Sequence, residues 1–247
     1  MTDNVPREVF DEDYDLFYAE LLTPERSARD AELIQRLCRL EPGERVLDVP
    51  CGDGRIAVRL AEASLEVVGI DREERFVERA RAAAPPGASF EAGDMRALDR
   101  RGEFDCVVNW FSSFGYFDTA TNQAVLRSFR GALRSGGRLI LDQANPERLR
   151  RGVEAGGGSF VHMAERGQDL LVDRVTMVGE HRSLTERFVV RGGRVRRLEF
   201  ELEQLPADEL ERWLRDAGLD DVRVYGDGGA PFRNDSRRLI AVASAAT

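Results

Sequence analysis

The feature that most constrains the fold is a repeated alternation of short apolar segments with helical segments. Segments with the length and composition of buried strands occur at 45–49, 65–70, 88–91, 104–108 and 138–142. Helical patterns separate them, at 73–84 before Pro85 and Pro86, and at 119–133, where Thr119 is the expected N-cap and Gly136 the expected stop. Repeated strand–helix units predict a mostly parallel sheet with helices on both faces.

The pattern changes after Asn145. Residues 159–205 alternate apolar and charged side chains, as in strands with one wet face, and Gly192–Gly193 is a typical two-residue hairpin turn. A helix is then expected from Pro206 to Gly218, followed by strands at 221–225 and 238–243 that pair as antiparallel neighbours. We therefore predict an α/β, Rossmann-like, seven-stranded, mostly parallel sheet with an antiparallel last strand and a small antiparallel β insertion after the fifth strand.

The length of 247 residues favours one folding unit. Within this single domain we expect an N-terminal lid at 1–27, an α/β core at 28–145, the β insertion at 159–205, and a C-terminal helix with the last two strands at 206–247. No apolar run is long enough to cross a membrane, and the polar, acidic N-terminus is unlike a secretory signal, so we expect a soluble cytoplasmic protein with no membrane partner.

Charge and cysteine content exclude other classes. The net charge of −9 argues against a protein that mainly binds nucleic acid, since that affinity comes from neutralising phosphates. The three cysteines are odd in number and lack CxxC spacing, so neither a disulfide framework nor a metal site is expected. Every basic residue is arginine, which excludes lysine nucleophiles.

A glycine-rich loop follows the first strand and permits two interpretations. Gly52, Gly54 and Ala57, with Asp71 after the second strand, match the spacing of a dinucleotide-binding loop, which keeps an NAD-dependent oxidoreductase in view. However, Asp48 and Asp53 would place carboxylates beside the pyrophosphate. S-adenosylmethionine (SAM) has no phosphate and carries an ammonium group and a sulfonium centre, so an acidic residue at Asp48 favours it.

These residues resemble the first motif of class I SAM-dependent methyltransferases, and the resemblance covers most of the chain. It implies that Asp71 receives the ribose hydroxyls while Arg72 packs along the adenine. It also implies that Asp94 accepts a hydrogen bond from the adenine amino group. The remaining cofactor contacts that it implies are Met95, Asn109 and Trp110 after later strands, Tyr14 and Tyr18 in the lid, and Arg55 at the methionine carboxylate. One departure is Pro50, where the family usually has glycine; proline fixes φ and removes an amide donor.

The layout most resembles small-molecule N- and O-methyltransferases, which implies a small-molecule acceptor and S-adenosylhomocysteine (SAH) as product. Direct displacement depends mainly on alignment, and only a hydroxyl acceptor would benefit from a general base. The candidates for such catalytic roles are Tyr116, His162 and His181. A non-catalytic SAM-binding module that regulates a partner stays open as an alternative. The sequence leaves the acceptor, the methylated atom and the oligomeric state undecided, although a homodimer is compatible with it.

Overall fold

A computed structural model describes residues 5–246. The first four residues of the predicted lid and Thr247 lie outside them. The strands, in chain order, are β1 (Arg45–Asp48), β2 (Glu66–Asp71), β3 (Ala88–Ala92), β4 (Phe104–Asn109), β5 (Leu133–Ala144), β6 (Phe160–Arg166), β7 (Asp169–Met177), β8 (Arg182–Arg191), β9 (Arg194–Glu203), β10 (Leu219–Tyr225) and β11 (Arg238–Ala245). The helices are α1 (Glu12–Tyr18), α2 (Pro24–Cys38), α3 (Arg55–Glu62), α4 (Glu74–Ala82), α5 (Thr119–Ala132), α6 (Pro146–Ala155) and α7 (Ala207–Asp216).

The main sheet has seven strands in the order β10-β11-β5-β4-β1-β2-β3. All neighbouring pairs are parallel except those made by β11, which runs antiparallel to both β5 and β10. Its central strand β4 is buried along its whole length, as expected for a strand covered on both faces. The predicted fold class, including the antiparallel last strand, is confirmed.

Three local predictions were wrong. The N-cap of α5 is Asp118, whose carboxylate accepts from the Thr121 N–H, and not Thr119. This helix ends at Ala132, one residue before the predicted end, but the glycine pair does not stop it: the chain passes directly into β5, which begins at Leu133 instead of residue 138. Helix α6 was not expected at all, although Asn145 caps it and Pro146 opens it.

The insertion forms a second, four-stranded antiparallel sheet in the order β6-β7-β8-β9. The turn between β8 and β9 lies at Gly192 and Gly193, with φ of 55° and 76°, the left-handed geometry of a hairpin turn that favours glycine. The face of this sheet that bears Leu171 and Val189 packs on Phe17 of α1. The N-terminal segment is therefore held between the second sheet and the rest of the chain.

A close backbone contact joins the second sheet to the loop after β4. The Gly115 carbonyl accepts from the Glu203 N–H at 2.9 Å, and a Cβ on Gly115 would lie 1.9 Å from the Glu203 carbonyl oxygen. The Glu203 carboxylate also accepts from Thr119 Oγ1 at 2.6 Å and Asn122 Nδ2 at 2.7 Å, both in α5. These contacts place the end of β9 beside the carboxyl end of β4.

Within residues 5–246, every helix is too short or too polar to cross a membrane.

Candidate active site

A cavity of about 710 Å³ opens at the carboxyl ends of β1, β2, β3 and β4. The loops after these strands form one side, and the N-terminal segment with part of the second sheet forms the other. In open α/β sheets this edge is where ligands bind, and the volume is that of a site for a nucleoside-sized molecule. Of the predicted cofactor contacts, all line this cavity except Gly54 and Asn109.

Asp48 ends β1 with only 2% of its surface exposed. Its Oδ2 atom has no hydrogen-bond partner within residues 5–246. Burial raises the pKa of Asp48 to about 7, and the nearby Asp71 carboxylate adds to this, while Arg55 opposes it. A buried, unpartnered carboxylate costs free energy, so the cavity is suited to a ligand that brings a cationic donor to this point.

Asp71 ends β2 and is fixed by the backbone. Its Oδ2 accepts from the Gly52 N–H at 2.8 Å and its Oδ1 accepts from the Glu73 N–H at 2.9 Å. Burial raises the pKa of Asp71, although these two backbone donors oppose the shift. Each oxygen retains lone-pair capacity, and the carboxylate lines the cavity, so a pair of ligand hydroxyls fits it.

Asp94 follows β3 and already has a cationic partner. Its carboxylate accepts from the Arg96 N–H at 2.9 Å and from the Arg96 guanidinium at 2.5 Å. Burial raises the pKa of Asp94, but these bonds outweigh it, so that the pKa lies below its usual value. The cavity thus offers Asp94 as an ionised acceptor that a neutral amino group fits, with Met95 beside it.

The two glycines of the loop have different roles: Gly52 lines the cavity, and Gly54 allows close packing. Gly52 lies in the cavity wall and orients Asp71, whereas Gly54 does not reach the wall. A Cβ on Gly54 would lie 2.8 Å from the Phe90 ring, and its φ of 82° is left-handed, so glycine here permits α3 to approach β3. Pro50 is in the wall, and the Val49–Pro50 peptide bond is cis.

The N-terminal segment covers the cavity with aromatic rings. Tyr14 and Tyr18 stack at 4.4 Å between ring centroids, and both line the cavity. Arginines hold the segment down: Arg72 donates to the Val5 carbonyl at 3.0 Å, and Arg75 donates to the Asp11 carbonyl at 2.8 Å and the Asp15 carboxylate at 2.6 Å. These contacts hold the N-terminal segment against the open side of the cavity.

Arg55, at the start of α3, lies in the wall and pairs with Asp30 at 2.9 Å. Its guanidinium is 5.2 Å from the centroid of the Phe111 ring, and that of Arg26 is 5.1 Å from the same centroid. Of these two arginines only Arg55 lines the cavity, and its charge acts on Asp48. The end of the cavity at Arg55 and Asp48 has both charges needed to receive an α-amino acid group.

The loop after β4 is held in an unusual conformation. Phe111 and Ser112 have φ of 62° and 59°, values that non-glycine residues rarely adopt and that cluster at functional sites. Asp142 on β5 holds them, because its carboxylate accepts from the Phe111 N–H at 2.9 Å and its carbonyl accepts from the Ser112 N–H at 2.9 Å. Arg238 on β11 pairs in turn with Asp142.

Of the two cofactor contacts predicted at the end of β4, Trp110 and Asn109, only one lies in the cavity wall. Trp110 lies in the cavity wall. Asn109 is 0% exposed and outside the wall, and its side-chain amide donates to the Val49 carbonyl at 2.8 Å. Asn109 thus braces β4 against the glycine loop. Asn109 can therefore affect a ligand only indirectly, through the position of the glycine loop.

The three catalytic candidates also separate. Tyr116 lines the cavity, and burial raises the pKa of Tyr116 to about 12. His162 lies on the exposed edge strand β6, and His181 precedes β8; neither lines the cavity. A histidine base at the reacting atoms therefore has no geometric support.

Sequence reasoning missed several wall residues, above all Arg187 on β8 and Arg238 on β11. Arg187 lies on the inward face of an alternating strand. The alternation shows that such a face exists, but it does not show which part of the protein the face covers. Arg238 opens a strand and carries no local signal.

Comparison with known proteins agrees with this geometry. Residues 46–137 match the family described as a methyltransferase domain. A curated relative, a dTDP-3-amino-3,4,6-trideoxy-alpha-D-glucopyranose N,N-dimethyltransferase of Streptomyces venezuelae, is 33% identical over 132 residues, which are 52% of this chain and 54% of the relative. DesVI of Streptomyces venezuelae has a similar structure, with a TM-score of 0.65 and 26% identity over 94% of this chain and 97% of that one.

The chain is thus similar to a methyltransferase domain over residues 46–137, and it shares its fold with SAM-dependent methyltransferases. The CcbJ methyltransferase of Streptomyces caelestis shares the fold, with a TM-score of 0.75 and 22% identity over 90% of each chain. The matched region spans about half, or less, of the length of the first curated relatives. The family match covers the glycine loop and the strand ends that carry Asp48, Asp71 and Asp94.

Proposed function

We propose that this methyltransferase transfers a methyl group from SAM to a nitrogen atom of a small-molecule amine. The observation that carries the cofactor part is the Asp48 carboxylate, buried and without a partner for Oδ2 within residues 5–246. The ammonium group of SAM supplies the missing charge. A dinucleotide would bring a pyrophosphate to the same carboxylate, which disfavours the oxidoreductase alternative.

The cofactor would extend across the strand ends. Asp48 would hold its ammonium group and Arg55 its carboxylate, Asp71 its ribose hydroxyls, and Asp94 with Met95 its adenine. Tyr14, Tyr18, Gly52, Arg72 and Trp110 would complete the walls of the cofactor half, with Gly54 and Asn109 supporting them from outside. When bound, SAM supplies a methyl carbon that its sulfonium makes electrophilic, and the product is SAH.

The choice of nitrogen rests on the ionisable groups that face the cavity. The sides formed by the second sheet and the loop after β4 contribute no carboxylate and no histidine to the part of the wall that the structure describes. The N-terminal segment contributes Asp15, whose carboxylate is engaged by Arg75 and Arg79. Tyr116, with a pKa raised to about 12, stays protonated at neutral pH and donates or accepts hydrogen bonds without removing a proton. A neutral amine needs no base to react, whereas a hydroxyl acceptor would.

The residues of this chain would then act by alignment. The N-terminal segment and the second sheet enclose the reacting atoms and exclude water, while the strained Phe111–Ser112 turn fixes the wall between cofactor and acceptor. Such positioning supplies a large part of the rate in direct displacements. The amino-sugar N,N-dimethyltransferase related to this chain supports an amine on a sugar-like ring as acceptor.

We also propose that the chain works in the cytoplasm as one domain, with residues 1–27 as a lid, 28–145 as the SAM-binding core, 159–205 as the part that closes the acceptor side, and 206–247 completing the sheet.

The test is turnover. The full chain is incubated with SAM and a panel of ring amines and matched ring alcohols, and SAH formation and methylated product are followed by mass spectrometry. We expect methylation of amines and none of the alcohols. Methylation of the alcohols alone would overturn the choice of nitrogen, and SAH binding without turnover of any acceptor would favour the non-catalytic module.

A further inference from the structure

Arg187 is a buried cation on the acceptor side of the cavity. It lies on β8, on the same face as Val189, with 4% of its surface exposed, and it lines the cavity. Its Nε and Nη2 atoms donate to the two carboxylate oxygens of Asp173, each at 2.8 Å. Nη2 also donates to the Tyr18 hydroxyl at 3.0 Å.

The remaining nitrogen of this guanidinium has capacity to spare. Nη1 carries two N–H groups and makes no hydrogen bond to any of residues 5–246, while Nε and Nη2 are engaged. Burial lowers the pKa of Arg187, but the bonds with Asp173 outweigh it, so the side chain stays charged. Nη1 is not fully buried, and because Arg187 lines the cavity, a ligand atom can reach this donor from there.

The surroundings define the chemistry of that ligand atom. Asp173 already neutralises Arg187, so a second anion next to the pair would be repelled by the Asp173 carboxylate. The Phe200 ring lies 5.2 Å from the guanidinium, and Leu202 is also in the wall, which makes this side of the cavity apolar. A neutral oxygen, such as a hydroxyl or carbonyl, satisfies the donors without adding charge.

We propose that Arg187 determines acceptor specificity by donating hydrogen bonds from Nη1 to a neutral oxygen of the acceptor, so that the substrate is an amine that carries a hydroxyl or carbonyl group near its nitrogen. This inference rests on the proposed function and assigns its substrate class. Tyr18, bonded to the same guanidinium, positions it from the N-terminal segment. A site built to bond an oxygen rejects the analogue that lacks it, because the donors are left unpaired.

The test compares two ring amines that differ in their hydroxyl groups, 3-amino-3-deoxy-D-glucose and cyclohexylamine. The variant is Arg187→Lys, which keeps a positive charge beside Asp173 but replaces the three guanidinium nitrogens with one ammonium nitrogen. The matched control is Arg174→Lys on the neighbouring strand β7, whose side chain is 54% exposed and pairs with Glu186. SAH affinity and the thermal unfolding midpoint are measured for all three proteins to verify the cofactor site and the fold.

The wild type is expected to prefer the amino sugar. Arg187→Lys should lower kcat/KM for the amino sugar by roughly 10- to 100-fold, the effect of a lost charged hydrogen bond, and leave that for cyclohexylamine and the SAH affinity within about twofold. Arg174→Lys should change none of these. The inference is overturned if Arg187→Lys lowers kcat/KM equally for both amines or for neither. It is also overturned if the wild type binds SAH but shows no preference between the two amines, or methylates neither of them.

Two further results separate the possible causes of failure. If the wild type does not bind SAH, it is the proposed function that fails. If Arg187→Lys does not fold, calorimetric binding of each amine to the wild type with SAH decides, and equal affinity contradicts the inference.

Discussion

Asp48 brings a buried carboxylate to the cavity, and one of its oxygens has no partner in the described chain. The carboxylate lies at the end of the first strand, and the unpartnered oxygen is Oδ2. Arg55 is the main charge that opposes the resulting rise in its pKa. The residue therefore destabilises the ligand-free protein and becomes favourable only when a cationic group is bound.

Asp48→Asn should weaken SAH binding by about 10- to 100-fold, because it removes a charge-assisted hydrogen bond to the ligand ammonium. 5′-Methylthioadenosine has the nucleoside but no amino acid group, so its affinity should change less than about threefold. Isothermal titration of both ligands against both proteins measures this. A uniform loss of affinity for the two ligands would show that Asp48 shapes the cavity instead of holding the ammonium group.

The raised pKa of Asp48 also predicts how stability varies with pH. Between pH about 4 and about 7 the folded protein keeps a proton on Asp48 that the unfolded chain has lost. Proton binding is then greater in the folded state, so this residue's contribution to the free energy of unfolding falls as pH rises through the window. Urea unfolding without ligand should show Asp48→Asn gaining stability relative to wild type from pH 4.5 to pH 8. A constant difference would contradict the buried, protonated carboxylate.

At the residue scale, the roles of Asp71 and Asp94 were predicted from the resemblance to the methyltransferase family, and that of Asp48 from its charge beside the glycine loop. The three carboxylates meet because parallel strands place their carboxyl ends at one edge of the sheet. Arg187 was not predicted, because its place in the wall depends on how the second sheet covers the first, and no local pattern encodes this. The pairing of Asp94 with Arg96 was not predicted either, because the periodicity of strands carries no information about contacts within a turn.

At the element scale, two contacts set the acceptor side of the cavity: the junction of the β4 loop with β9, and the arginines that hold the N-terminal segment. The strands of the main sheet were predictable from apolar runs. Helix α6 was not, because Val153 is its only buried apolar residue besides Pro146, so its apolar periodicity is weak. The early start of β5 depends on pairing with β4, which lies outside local propensity.

Gly115→Ala should separate the loop from the second sheet. The added Cβ would meet the Glu203 carbonyl oxygen at 1.9 Å. Gly102→Ala is the matched control, because Gly102 also has positive φ, at 61°, but nothing within 4 Å of its Cβ position. We expect Gly115→Ala to lose about 2 kcal/mol more free energy of unfolding than Gly102→Ala, from denaturant titration. Equal losses would mean that backbone strain alone, and no contact with β9, fixes this glycine.

Arg75→Gln should loosen the N-terminal segment. The guanidinium donates to the backbone carbonyls of Phe10 and Asp11 and to Asp15, which a shorter neutral amide does not reproduce. Limited proteolysis should cut residues 5–22 faster, and SAH should dissociate about tenfold faster, because the segment covers the bound nucleoside. Arg59→Gln, which removes an exposed pair with Glu62, is the control. Unchanged dissociation of SAH from Arg75→Gln would show that the segment is not a lid.

At the scale of the whole molecule, two sheets share one cavity and divide its chemistry. The parallel sheet presents carboxylates at its strand ends for a cationic nucleoside, and the antiparallel sheet with the N-terminal segment presents aromatic rings and a neutralised arginine. The order of elements along the chain predicted the two sheets. Their packing and the enclosed volume required the structure, because these depend on contacts between residues distant in sequence.

The central claim is that this cavity binds a phosphate-free, cationic nucleoside. Calorimetric titration of the full chain with SAH, and separately with NADH, tests it most directly. The account predicts one SAH bound per chain, with a rise in thermal midpoint that grows with SAH concentration, and no heat of binding for NADH. Binding of NADH together with no binding of SAH would contradict it.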